Sequence, residues 1–102
     1  MDAVFLALAD GTRRRLVDEL LAGDATVGQL AERLGVATPS VSKHLTVLER
    51  AGLVSRQREA QWRRCRLEGA AFARLRDWVD HYESLWTGSL DRLEARLRDE
   101  RP

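Results

Sequence analysis

Five arginines, Arg56, Arg58, Arg63, Arg64 and Arg66, fall within a stretch of eleven residues in which Glu59 is the only acid. Like charges at that density repel one another, and phosphates relieve the repulsion by neutralising them. An arginine at a hairpin tip can also reach a narrow minor groove, where negative potential is concentrated. The plain alternative is a solvated edge strand whose charge keeps it from aggregating. Just upstream, residues 38–50 offer a different chemistry. At about 100° per residue, Val41, Leu45 and Leu48 share one side of a helix, while Pro39, Ser42, Lys43 and Thr46 point the opposite way. Ser40, His44 and Val47 lie at the flanks. The outward face is short, polar and singly basic, and it lies at the start of the helix. Such a face enters a major groove without bulky obstruction, and the free N–H groups of the helix N-terminus can meet a phosphate. Any solvated helix could look the same, so the neighbouring arginines turn the reading toward duplex DNA.

The elements needed to position these residues can be traced along the chain. Val4, Phe5 and Leu8 give a short apolar helix face, which Asp10-Gly11-Thr12 interrupts. Asp10 or Thr12 can cap a second helix bearing Leu16, Val17, Leu20 and Leu21, and Gly23-Asp24 ends it. Thr26 is a plausible N-cap for a third helix whose Val27, Leu30, Ala31 and Leu34 form one stripe; Gly35 stops it, and Thr38-Pro39 caps and starts a fourth. A short helix, a glycine-containing turn and a second helix make a helix-turn-helix over about 27–50. Residues 53–58 and 62–67 then form two strands around Glu59-Ala60-Gln61, a hairpin wing over about 53–67. From 69 to about 99 there is no proline, and Phe72, Leu75, Val79, Tyr82, Trp86, Leu90, Leu93 and Leu97 recur every three or four residues. That stripe approaches a coiled-coil seam and asks for a partner helix.

Bulk properties agree. A chain of 102 residues is expected to be a single domain, 1–102, mainly α with a two-stranded β-hairpin wing, and dimerisation would add to its limited core. The net charge of +1 conceals an asymmetry, since residues 38–67 carry seven Lys/Arg against two acids. A basic middle between mildly acidic flanks is the footprint of a nucleic-acid face. No apolar run approaches a membrane span and no leader pattern opens the chain, so a cytoplasmic protein without a membrane partner is expected.

The segments Leu8-Ala9-Asp10-Gly11-Thr12-Arg13-Arg14-Arg15-Leu16, Leu30-Ala31-Glu32-Arg33-Leu34-Gly35-Val36, Ser40-Val41-Ser42-Lys43-His44-Leu45 and Leu48-Glu49-Arg50-Ala51-Gly52-Leu53-Val54 resemble the ArsR/SmtB family of bacterial winged-helix repressors. The resemblance covers nearly the whole chain. It implies a winged helix-turn-helix, dimeric through its first and last helices, that binds a palindromic promoter operator and releases it on a signal. Gly11 departs from the family's usual proline, which should loosen the cap of the second helix. Residue by residue, the resemblance points Thr38, Ser40, Ser42, Lys43, His44 and Thr46 at DNA, with Arg56, Arg58, Gln61, Arg63 and Arg64 as wing contacts. His44 is open between bonding a phosphate and packing helices. Val4, Phe5, Leu8, Val79, Tyr82, Trp86, Leu90, Leu93 and Leu97 are the expected dimer interface.

Many members of that family sense metals, yet the ligand positions are occupied here by Thr26 and Gly28 on the third helix, and by Val79, His81, Arg92 and Ala95 on the last. Zinc normally needs three or four N, S or carboxylate ligands, so no metal and no cofactor is expected. Cys65 is the only cysteine and cannot form an internal disulfide; it is either a packed strand residue or a redox sensor. Trp62, Trp78, Tyr82 and Trp86 can be dimer core or the lining of a pocket for a small-molecule effector. No nucleophile–base pair or phosphate loop suggests an enzyme. The remaining rival is a protein-interaction module that uses the winged helix and last helix without specific DNA binding, for which the arginine hairpin would serve no purpose.

Overall fold

In the computed structural model, which describes residues 1–100, the chain runs α1 (Asp2–Leu8), α2 (Gly11–Ala22), β1 (Ala25–Thr26), α3 (Val27–Leu34), α4 (Thr38–Arg50), β2 (Val54–Glu59), β3 (Trp62–Leu67) and α5 (Gly69–Asp99). Two compact units result, Met1–Ala71 and a second that begins at Phe72. No helix among the described residues is long and apolar enough to cross a membrane.

The first unit is built on caps. Asp10 stands in extended backbone before α2 and its carboxylate accepts from the Arg13 N–H at 3.0 Å. That bond holds the Asp10 carboxyl below the usual 3.8. Thr26 heads α3 with a reciprocal pair: its hydroxyl accepts from the Gln29 N–H, and the Gln29 side chain accepts from the Thr26 N–H. Gly35 closes α3 in the left-handed conformation (φ 66°), where a Cβ would be disfavoured. The expected Thr38 cap is not formed. Ala37 is already extended and its carbonyl accepts from the Ser40 and Val41 N–H groups, so α4 starts a residue earlier with Thr38 inside it and Pro39 in its first turn.

The consecutive arginines 13–15 extend this capping. Arg13 donates to the carbonyls of Ala7 and Leu6, Arg14 to that of Leu8, and Arg15 to that of Leu34. They bond carbonyls at the ends of α1 and α3, a role open to cationic donors at helix C-termini; the Leu6 carbonyl also accepts from the Ala9 N–H. Leu16, Leu30, Val41, Leu45, Leu48 and Leu53 are fully buried and form the centre of the core. Leu21, expected with them on α2, is exposed, because at about 100° per residue it falls at the edge of the arc that Leu16, Val17 and Leu20 turn to the core.

The hairpin is joined by a third strand that its length hid from sequence reading. Ala25 and Thr26 pair antiparallel with Cys65 and Arg64, giving a sheet of order β1-β3-β2. β2 and β3 pair from Val54↔Leu67 to Glu59↔Trp62, so the turn is only Ala60-Gln61, with Ala60 at φ 51°. α5 is one uninterrupted helix of 31 residues, as its spacing predicts.

Candidate nucleic-acid interface

Strand alternation sorts the arginines of the wing into different tasks. Arg56, Arg58, Arg63 and Cys65 share one face of the hairpin, since Arg56 pairs with Cys65 and Arg58 with Arg63. Gln57, Glu59, Trp62, Arg64 and Arg66 lie on the other. Arg58 and Arg63 are exposed and directly opposite each other, and neither has an ion-pair or hydrogen-bond partner among the described residues. Like charges in that relation repel. Arg63 and Arg56 border an open concavity of about 440 Å³ together with Thr38, Pro39 and Ser42 of α4, Thr26, Val27 and Gly28 at the start of α3, and Gln61 and Trp62 at the wing tip. No carboxylate lines it. The start of α4 and the tip of the wing therefore frame one basic, hydroxyl-lined surface. Elsewhere on the first turns of α4, Ser40 is half-buried and Lys43 exposed.

Three residues expected on that surface also hold side-chain contacts within the protein. Arg56 is only 11% exposed and is bound to Ser42, Thr46 and Glu49 of α4. Thr46 gives its hydroxyl proton to the Ser42 carbonyl at 3.0 Å, a turn back along the same helix, and accepts from Arg56 at 2.8 Å. His44 leans the other way: its Nδ1 lies 3.3 Å from the Arg13 guanidinium and 3.9 Å from the Asp10 carboxylate, so it joins α4 to the α1–α2 corner. Of its two open roles, helix packing is the one the geometry fits. Arg64 is half-exposed and paired with Glu59 at 3.1 Å, which weakens its use as a phosphate contact. Sequence spacing alone could not separate these residues, because what engages most of them lies on another element.

Residues 10–56 match the model of the bacterial regulatory proteins of the arsR family. The chain is 42% identical over 89 residues to the HTH-type transcriptional regulator Rv2034 of Mycobacterium tuberculosis, covering 87% of this chain and 80% of that one. It is also 42% identical over 62 residues to the transcriptional repressor SdpR of Bacillus subtilis, covering 61% of this chain and 69% of that one. The chain belongs to the ArsR family. Among solved structures it resembles a homodimeric winged helix-turn-helix DNA-binding domain from Mycobacterium bovis, with a TM-score of 0.69 at 31% identity over 81% of this chain and 77% of that one.

As an ArsR-family member the protein is a DNA-binding transcriptional regulator, not an enzyme. Its residues do not fit the metal sites known in the family. The Thr26 hydroxyl is committed to capping α3, Gly28 has no side chain, and Val79, Arg92 and Ala95 are not ligands. Among the described residues no three His, Cys, Asp or Glu side chains converge. Cys65 is fully buried, and burial pushes its thiol up to about 11. A thiol so protonated is a poor nucleophile and a poor redox sensor.

The expected dimer residues divide. Val4 is buried with Ala7 within the first unit. Phe5 is exposed and Leu8 half-buried, while Leu6, which the spacing did not single out, is 70% exposed. On α5, Val79, Tyr82, Trp86, Leu90, Leu93 and Leu97 are all exposed, as is Leu85, likewise not singled out. Trp78 and Tyr82 stack with ring centroids 4.4 Å apart, and His81 meets Tyr82 edge-on.

Proposed function

We propose that this chain is a homodimeric repressor that binds a palindromic promoter operator, with α5 as part of one winged helix-turn-helix domain and its apolar stripe as the dimer seam. The observation that carries the DNA face is the pair Arg58 and Arg63, exposed and opposed on the wing with no ion pair to either among the described residues, Arg63 lying beside the start of α4 and Glu49 being the one acid that shares a hollow with both. A phosphate between them would turn a repulsive pair into a bridged one. Thr38, Ser40, Ser42 and Lys43 on α4 and Arg58, Gln61 and Arg63 on the wing form the contact set, with Arg64 at its margin. Phe5, Leu6 and Leu8 with the α5 stripe form the dimer set. No metal controls release, and a small organic effector or control by abundance fits the residues better.

The test is binding to duplex DNA selected from the chain's own promoter, measured across a salt series. Affinity should fall steeply with salt, and Arg63→Ala should reduce the magnitude of the log–log slope by about 0.9 for each phosphate left unneutralised. Its oligomeric state should be unchanged. Absence of binding even at low salt would sink the proposal.

A further inference from the structure

Arg56 belongs to the base of the wing, yet its guanidinium is spent on α4. Nη1 donates to Ser42 Oγ at 3.2 Å, and Nη2 donates to Thr46 Oγ1 at 2.8 Å and to Glu49 Oε1 at 3.3 Å. These acceptors lie along one side of α4, so a single side chain from β2 is tied to successive turns of the helix that faces the concavity. Thr46 has no proton left to give, because its hydroxyl donates to the Ser42 carbonyl. Ser42 is in a different position. Its oxygen accepts from Arg56, while no acceptor for its own proton is found among the described residues.

A serine hydroxyl is ordinarily ambidextrous, with one donor and two acceptor lone pairs, and can satisfy either kind of base edge. Here a fixed cation occupies one lone pair and repels the hydroxyl hydrogen to the opposite side. We propose that Arg56 is a positioning residue that holds Ser42 as a hydrogen-bond donor toward the major groove. Ser42 then selects an acceptor edge: a purine N7, guanine O6 or thymine O4. The exocyclic amines of adenine and cytosine, which are donors, can reach only the lone pair left beside the Arg56 guanidinium and are disfavoured at that place. This inference rests on the reading that α4 faces duplex DNA, and it assigns Arg56 to setting sequence preference rather than to touching phosphate.

The test uses duplexes that the wild-type protein selects from a randomised library, then variants of that site carrying each base pair at every position. Wild type should discriminate by about tenfold at the position met by Ser42 in each half-site. Arg56→Met should reduce that to within about twofold, with the salt slope unchanged. Ser42→Ala should flatten the same position, and adding Arg56→Met to it should change the pattern no further. Arg56→Lys retains the charge but presents a point cation rather than a fork, so it too should lose the discrimination; it carries the test should Arg56→Met fail to fold. A salt slope lowered in magnitude by about 0.9 per protomer with discrimination intact would make Arg56 a phosphate contact and overturn the proposal. Equal weakening on every duplex would reduce Arg56 to a fold-stabilising role and overturn it as well, as would a Ser42→Ala variant with the wild-type base preferences. Failure of the wild-type protein to select any site would instead refute DNA recognition itself.

Discussion

α4 and α5 carry the same kind of pattern and meet opposite fates. On α4, Val41, Leu45 and Leu48 recur every three or four residues and are completely buried. On α5, Val79, Tyr82, Trp86 and Leu90 recur at the same spacing and stay exposed, Trp86 to 62%. Periodicity states only that a helix has an apolar side. What covers that side is decided elsewhere, for α4 by neighbouring elements of the same unit. A contiguous apolar stripe left in water marks an interaction surface, and here it is long enough for helix-on-helix pairing.

The largest effect should come from attacking the covered face. Leu45→Ala removes a fully buried side chain and should cost about 2–5 kcal/mol of unfolding free energy, measured by chemical denaturation. A cost near zero would mean that the α4 face is not part of the core. On the exposed face, Trp86→Glu should raise the dimer dissociation constant by about 30-fold or more in sedimentation experiments and weaken DNA binding in parallel. An unchanged oligomeric state would break the contrast, because α5 would then be exposed for another reason.

Smaller effects probe the caps that hold the first unit together. The Arg13 N–H lowers the Asp10 carboxyl below 3.8, so this cap stabilises the fold at pH above about 3.8 and is lost as pH falls through the lowered value. In acid titrations, Asp10→Asn should therefore be less sensitive than wild type below that pH; identical profiles would remove Asp10 from the acid response. The smallest effect is a gain. Gly11 is the first residue of α2, its N–H is not needed by the helix, and Asp10 before it is already extended. Gly11→Pro should accordingly stabilise the protein by about 0.4–1 kcal/mol, seen as a higher Tm. A lower Tm would show that the α1–α2 corner needs the glycine.

Much of this architecture is legible in the sequence because it rests on local rules. Gly35, the Thr26 cap, the Val41-Leu45-Leu48 stripe and the unbroken run from 69 onward each declare themselves within a few residues. The features that escape are those fixed by distant partners. β1 is two residues long, too short to show alternation, and exists only because β3 pairs with it. The capping role of the arginines at 13–15 needs the carbonyls of α1 and α3 to be in reach. Arg56 and Arg63 look alike in sequence and share one face of the hairpin and the edge of the concavity, yet proximity to α4 ties up the Arg56 guanidinium and leaves Arg63 exposed. Spacing does not separate buried Val4 from exposed Phe5, because a short helix with one apolar side gives no sign of which of its residues turn inward. At the candidate site the residue types are readable, but their division between reading DNA and bracing the reader is not.

Cys65 is sealed at the centre of the sheet with its proton held tightly. Its backbone is paired with Arg56 on one side and Ala25 on the other while its side chain stands off the sheet, so the sheet must lift from the helices packed on it before a reagent can touch the sulfur. A thiol-specific label would therefore mark only molecules whose wing has momentarily opened. With no second cysteine to contribute a background, its rate of uptake reports the free energy of that opening alone. The protein thus carries a built-in gauge of wing breathing, against which the tightening caused by bound DNA can be read directly.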